Sequence, residues 1–170
     1  MAGTICVSVV ATQNFYTIDR LLAARANAKF AAVADRLGAT ESRDVLRYLS
    51  SELNRLYFQL WNGAQIMLGG VTLWLIAGAG KRDPAGSRGS GGSRAAVWGV
   101  VGMLAIVIVM VVYLTPAIVT LGRSLDFLPR DPAPPGMSRF WALHGAYTSL
   151  EMLKLLIAVF VTVSLVRHVE

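Results

Sequence analysis

Residues 95–122, AAVWGVVGMLAIVIVMVVYLTPAIVTLG, run for 28 positions between Arg94 and Arg123 without a charge. At about 1.5 Å per residue, a helix of that length exceeds the roughly 30 Å hydrocarbon core of a bilayer, so the stretch reads as a membrane span. Upstream, residues 56–80, LYFQLWNGAQIMLGGVTLWLIAGAG, give 25 uncharged positions between Arg55 and Lys81 and read the same way. Downstream, residues 140–166, FWALHGAYTSLEMLKLLIAVFVTVSLV, carry Glu151 and Lys154, but the apolar run that follows them keeps the segment a span. The first residues, MAGTICVSVVATQNFYTI, offer 18 uncharged positions before Asp19, at the short end of what a crossing needs. They lack a basic start and a small-residue cleavage site, so they are expected to stay in the mature chain.

Composition points the same way. Of 170 residues, 55% are hydrophobic and 15% charged, against about 25% charged in a soluble domain, which excludes both a soluble globule and a disordered chain. A lone cysteine, Cys6, excludes a disulfide scaffold. The net charge of +6 belongs on loops facing anionic lipid, and no nucleic-acid partner is expected. The expected fold is all-α: one polytopic membrane domain over 1–170, a four-helix transmembrane bundle with spans near 2–18, 56–79, 95–121 and 140–166.

Between the first two spans, apolar residues recur at helical spacing. Leu22, Ala26, Phe30, Val33 and Leu37 form one stripe and Leu46, Leu49, Leu53, Leu56 and Leu60 another, which predicts amphipathic helices over about 19–37 and 41–55. Gly38 suits a helix C-cap, Thr40 an N-cap, and the second stripe is expected to run unbroken into the following span. Arg25, Lys29, Arg36, Arg43 and Arg47 can meet phosphate head groups or an acidic partner surface, although such charges are more often a solvated face. The segment 80–94 is Gly/Ser-rich and expected to be flexible; 122–138 holds four of the six prolines and is expected to be stiff. The faces that these loops share carry ten Lys and Arg on the side of 19–55 and five on the other. By the positive-inside rule both termini are expected outside the cytoplasm, and the expected location is a bacterial inner membrane.

Polar residues inside the spans are expensive in lipid and should face one another. Counting inward from the 19–55 face predicts one polar seam: His144, Tyr147, Glu151 and Lys154 on the last helix, opposed by Gln59, Asn62 and Gln65 and closed by Asn14. The third span, almost all Val, Ile, Leu and Met with a kink at Pro116, is expected to face lipid or an apolar partner. Gly63, Gly69, Gly70, Gly99 and Gly102 suggest close helix packing, and Tyr57, Trp61, Trp98 and Trp141 suggest interfacial anchors.

Three readings of the seam stand side by side. As packing glue it makes the chain a non-catalytic accessory or structural subunit of a larger membrane complex. As an ionisable path around Glu151 and Lys154 it makes a small oligomeric transporter of ions, protons or a solute. As a ligand set, His144 could hold a haem or a chlorophyll, but not as a bis-histidine site within the chain, since His168 lies 24 residues further on. No catalytic triad, metal-ligand cluster or carboxylate pair can be assembled, so no enzyme is expected and no metal site.

The sequence KFAAVADRLGATESRDVLRYLSSELNRLYFQLW leading into the second span, with FWALHGAYTSLEMLKLL opening the last, resembles the family of small four-helix membrane proteins that includes transmembrane protein 205, a domain of unknown function. In that family the last helix often opens with an Arg and a Leu-His, as at Arg139 and Leu143-His144 here. The resemblance implies the four-helix architecture and a longer first span; it implies little about activity.

Overall fold

The computed structural model describes residues 2–82 and 90–166, and all of its regular structure is helical. Helix α1 (Ala2–Ala24) carries the first uncharged stretch onward through Asp19 and Arg20 without a break. It stops at Arg25, whose φ of 47° is left-handed, and Asn27 then caps α2 (Ala28–Leu37) by accepting a hydrogen bond from the Phe30 amide at 3.0 Å. The amphipathic helix expected over 19–37 is therefore two pieces, because Asn27 competes for the backbone more strongly as a cap than as a helix interior.

Gly38 closes α2 at φ 92°, its amide donating to the Ala34 carbonyl at 2.9 Å. The next helix, α3 (Ala39–Arg82), starts immediately, so Thr40 lies within its first turn and is not its N-cap. From there α3 continues for 44 residues, about 66 Å, joining the second leucine stripe to the second span as one rod.

Helix α4 (Ser90–Val109) passes through a π-helical turn (Met110–Leu114) into α5 (Thr115–Leu125). Proline explains the turn. Pro116 has no amide to donate, and its ring would clash with the carbonyl four residues back; the wider register, with the Thr115 amide reaching the Met110 carbonyl, absorbs both defects. Helix α6 (Met137–Val166) follows the proline-rich connection. Both loops are shorter than expected, since helix extends to Arg82, resumes at Ser90 and runs on to Leu125; residues 83–89 of the glycine-rich loop, and His168, lie outside the described residues.

Three segments are long and apolar enough to cross a membrane: Ala39–Gly78, Arg94–Leu125 and Met137–Ser164. They pack as a bundle around two apolar clusters. Met110, Leu114 and Tyr147 centre one, with Phe58 and Leu150 against them; Ala96, Val100 and Val161 centre the other, with Leu73, Ile76 and Leu104. Close approach occurs at Gly69, where an added Cβ would lie 2.4 Å from Leu104, and at Gly99, where it would lie 2.4 Å from Val161. Gly63, Gly70 and Gly102 face open space instead. The third span, expected to face lipid or an apolar partner, instead packs within its own chain along one side: Ala96, Val100, Val107, Met110 and Leu114 form a buried row between α3 and α6.

Helix α1 lies antiparallel along α3, displaced toward its N-terminal half. Gly3 sits under the Trp61 ring, Asn14 meets Asn54, and Asp19 pairs with Arg43 at 2.8 Å. Trp61 is thereby a packing residue, its ring covering the α1 backbone, whereas Trp98 and Trp141 are exposed near the ends of their spans.

Candidate functional site

Three polar layers tie the helices together, and they do not form the single seam expected from the sequence. The deepest joins α1, α3 and α6. Lys154 Nζ donates to Glu151 Oε1 at 2.7 Å and to Gln65 Oε1, Gln65 Nε2 reaches Glu151 Oε1 at 3.4 Å, and Thr4 Oγ1 donates to Glu151 Oε2 at 3.1 Å. Glu151 and Lys154 are 7% and 5% exposed. The i, i+3 spacing on α6 places them side by side, and α3 brings Gln65 opposite.

One turn away, Asn62 links three helices. Its Oδ1 accepts from the Tyr147 hydroxyl at 3.0 Å and its Nδ2 donates to Thr115 Oγ1 at 3.0 Å. Asn62 is 2% exposed, and Phe58 packs edge-on against Tyr147, sealing the layer from the side. Thr115 comes from the third span, expected to contribute no polar contact. The outermost layer joins α1 to α3: Asn14 Nδ2 donates to Asn54 Oδ1 at 2.7 Å, Asn54 Nδ2 to the Ala11 carbonyl at 3.0 Å, and Ser50 Oγ to the Asn14 carbonyl at 3.4 Å.

Asn14, Gln59 and His144 thus depart from their expected places. Asn14 meets Asn54 and Ser50 because α1 is displaced outward along α3: Asp19 stands opposite Arg43, twelve residues or about 18 Å beyond the Arg55 from which depth on α3 was counted. Gln59 is exposed, lining an open recess of about 460 Å³ with Gly63, Pro116 and Thr120. His144 turns to its own helix, its ring 4.2 Å from that of Phe140 and its Nδ1 3.1 Å from the Phe140 carbonyl. A neutral imidazole donates from Nδ1 in that arrangement.

An ionic cluster that the sequence reading passed over closes the bundle at the 19–55 end. Arg55 bonds Glu52 at 2.5 Å and Asp126 at 2.8 Å, while Arg123 forks onto Glu52 with two bonds of 3.0 Å. It fastens α3 to the end of α5, beside Gly122, where an added Cβ would meet Arg55 Nη2 at 3.0 Å. Thr4, Asn54 and Thr115 were also missed. Asn54 was signalled: Asn54, Asn62 and Gln65 recur at eight and three positions along one face of a helix. Thr4 and Thr115 carried no signal, since threonine in a span usually bonds its own backbone, as Thr72 and Thr162 do here.

Of the basic residues, Arg25 pairs with Asp35 and Arg43 with Asp19, while Lys29, Arg36 and Arg47 are exposed without an ion pair among the described residues. The Arg25 hydrogen bond holds the Asp35 carboxyl below its usual range.

Beside the deepest layer lies a cavity of about 200 Å³, walled by Thr4, Trp61, Gln65, Leu104, Glu151 and Lys154 among others. The indole Nε1 of Trp61 is buried without a hydrogen-bond partner among the described residues. Beyond Lys154 the walls turn apolar, with Leu68, Val100, Leu155 and Ala158. Comparisons with family models, with curated proteins and with solved structures found no match.

Proposed function

We propose that this chain is a non-catalytic accessory or structural subunit of a larger membrane protein complex, with α1 entering the bilayer as a fourth helix beside the three longer ones. The four-helix family resemblance, the bacterial inner membrane and termini outside the cytoplasm belong to the same proposal. One observation carries it: Thr4, Gln65 and Lys154, from three helices, all bond the deep Glu151 carboxylate, and the polar layers among the described residues occupy only one half of the bundle. The other half, around Ala96, Val100 and Val161, is apolar. Buried charges satisfied in that way act as interhelical ties, and an apolar half gives an ion no stepwise route across.

The cavity next to Glu151 favours a second reading, in which a small oligomeric transporter uses the Glu151–Lys154 pair to hold an ion or solute. Glu151→Gln separates the two. It keeps the hydrogen bonds in outline but leaves Lys154 without its counter-charge. An accessory subunit then loses stability or assembly, measured as recovery of the complex in mild detergent. A transporter still assembles and loses flux in reconstituted vesicles.

A further inference from the structure

Along α3 the residues Leu46, Leu49, Leu53, Leu56 and Leu60 alternate by three and four, and the alternation continues without a slip through Gly63, Met67, Gly70 and Trp74. That is a heptad seam of four repeats on one face of one unbroken helix. It points away from the bundle: α1 covers the face with Ser50, Asn54 and Trp61, and α5 covers the face with Arg55. Leu46 and Leu53 are half-buried, Leu49, Leu56, Leu60, Met67 and Trp74 remain 47% to 74% exposed, and a Cβ at Gly63 or Gly70 would meet nothing of this chain within 4 Å.

Lipid alone does not cover such a face. From Leu46 to Trp74 the seam is about 42 Å long, against about 30 Å of hydrocarbon, so part of it stands beyond the acyl chains wherever the bilayer is centred. We propose that the seam is a homodimer interface: α3 pairs with α3 of a second copy as a parallel, in-register coiled coil. Two copies inserted in one membrane share their orientation, so a two-fold axis along the membrane normal brings each seam residue to the same residue of its partner at the same depth.

The interface suits that occupant in area and in charge. The exposed seam side chains, with Val45 on the flank, offer roughly 400–600 Å² per copy, about 1,000 Å² for the pair, the size at which specific association begins. No charged residue lies on the seam, and the flanking Glu52 is already neutralised by Arg55 and Arg123 of its own chain, so the copies bring no bare like charges together. Within the membrane, Gly63 and Gly70 let the backbones approach, and outside it the leucines supply apolar burial. The dimer is independent of whether the chain serves as an accessory subunit or as a transporter.

The test is oxidative cross-linking in native membranes with Cys6→Ser as background. Single cysteines at Leu49, Leu56 and Leu60 are expected to yield a product of twice the chain mass, while cysteines at Arg47 and Thr72, on other faces of α3, do not. Gly63→Ile, which meets nothing in its own chain, is expected to lower the Leu56→Cys product about tenfold, equivalent to about 1.4 kcal/mol. Equal cross-linking at all five positions, a product of some other mass, no product, or a yield unaffected by Gly63→Ile overturns the proposal.

Discussion

Glu151 and Lys154 illustrate how a buried pair differs from two buried charges. Removing one partner leaves the other unpaired in a low dielectric, whereas removing both leaves an apolar contact that packs on its own. Lys154→Met is therefore expected to destabilise the detergent-solubilised chain by about 3–5 kcal/mol, and Glu151→Leu/Lys154→Met to recover most of that loss. Additive losses in the double variant would show that each group has a separate role. Asn62→Leu is the companion case. It strands the Tyr147 hydroxyl and Thr115 Oγ1 inside the bundle, for an expected loss of about 1–3 kcal/mol, read from the same thermal unfolding series. That Asn62, Gln65, Tyr147, Glu151 and Lys154 would turn inward was legible, because apolar neighbours on both sides leave a polar group few alternatives. Which of them would touch was not, since it depends on the rotation and stagger of packed helices, and those are set by contacts such as Leu104 on Gly69.

At the scale of elements, glycines divide into those that the helices require and those that they leave free. Gly69→Val would push the α3 backbone away from Leu104, while Gly70→Val places its side chain in open space. The first is expected to lower the midpoint of thermal unfolding and the second to leave it within a few degrees. Gly38 is constrained by its backbone, since an alanine there adopts φ 92° with its Cβ 2.9 Å from Glu41 Oε2. Gly38→Ala is expected to cost about 1–2 kcal/mol and to raise amide exchange across the α2–α3 corner. The sequence signalled this corner through Gly38, and the unbroken α3 through its leucine spacing. It misled on α1: Asp19 and Arg55 both flank uncharged runs and so look level, but α1 pairs with the part of α3 that holds Arg43 and Arg47. Charge gaps measure the length of an apolar run and say nothing about the stagger between two of them.

For the molecule as a whole, the arrangement is a three-helix bundle with its polar ties in one half, an apolar half beyond, a short helix docked on the outer arm of α3, and a heptad face left open. The proposed orientation rests on ten basic residues on the side of 19–55 against five on the other, read by the positive-inside rule. A cysteine placed at Ser138 in the Cys6→Ser background is thus expected to react with a membrane-impermeant maleimide in inside-out vesicles and not in right-side-out ones, and the reverse result inverts the topology. The most direct test of the proposed role is the composition of what a tagged chain carries with it from native membranes in mild detergent, measured by native mass spectrometry. The account predicts other membrane subunits in fixed stoichiometry, retained by Glu151→Leu/Lys154→Met; a particle made of this chain alone would contradict it.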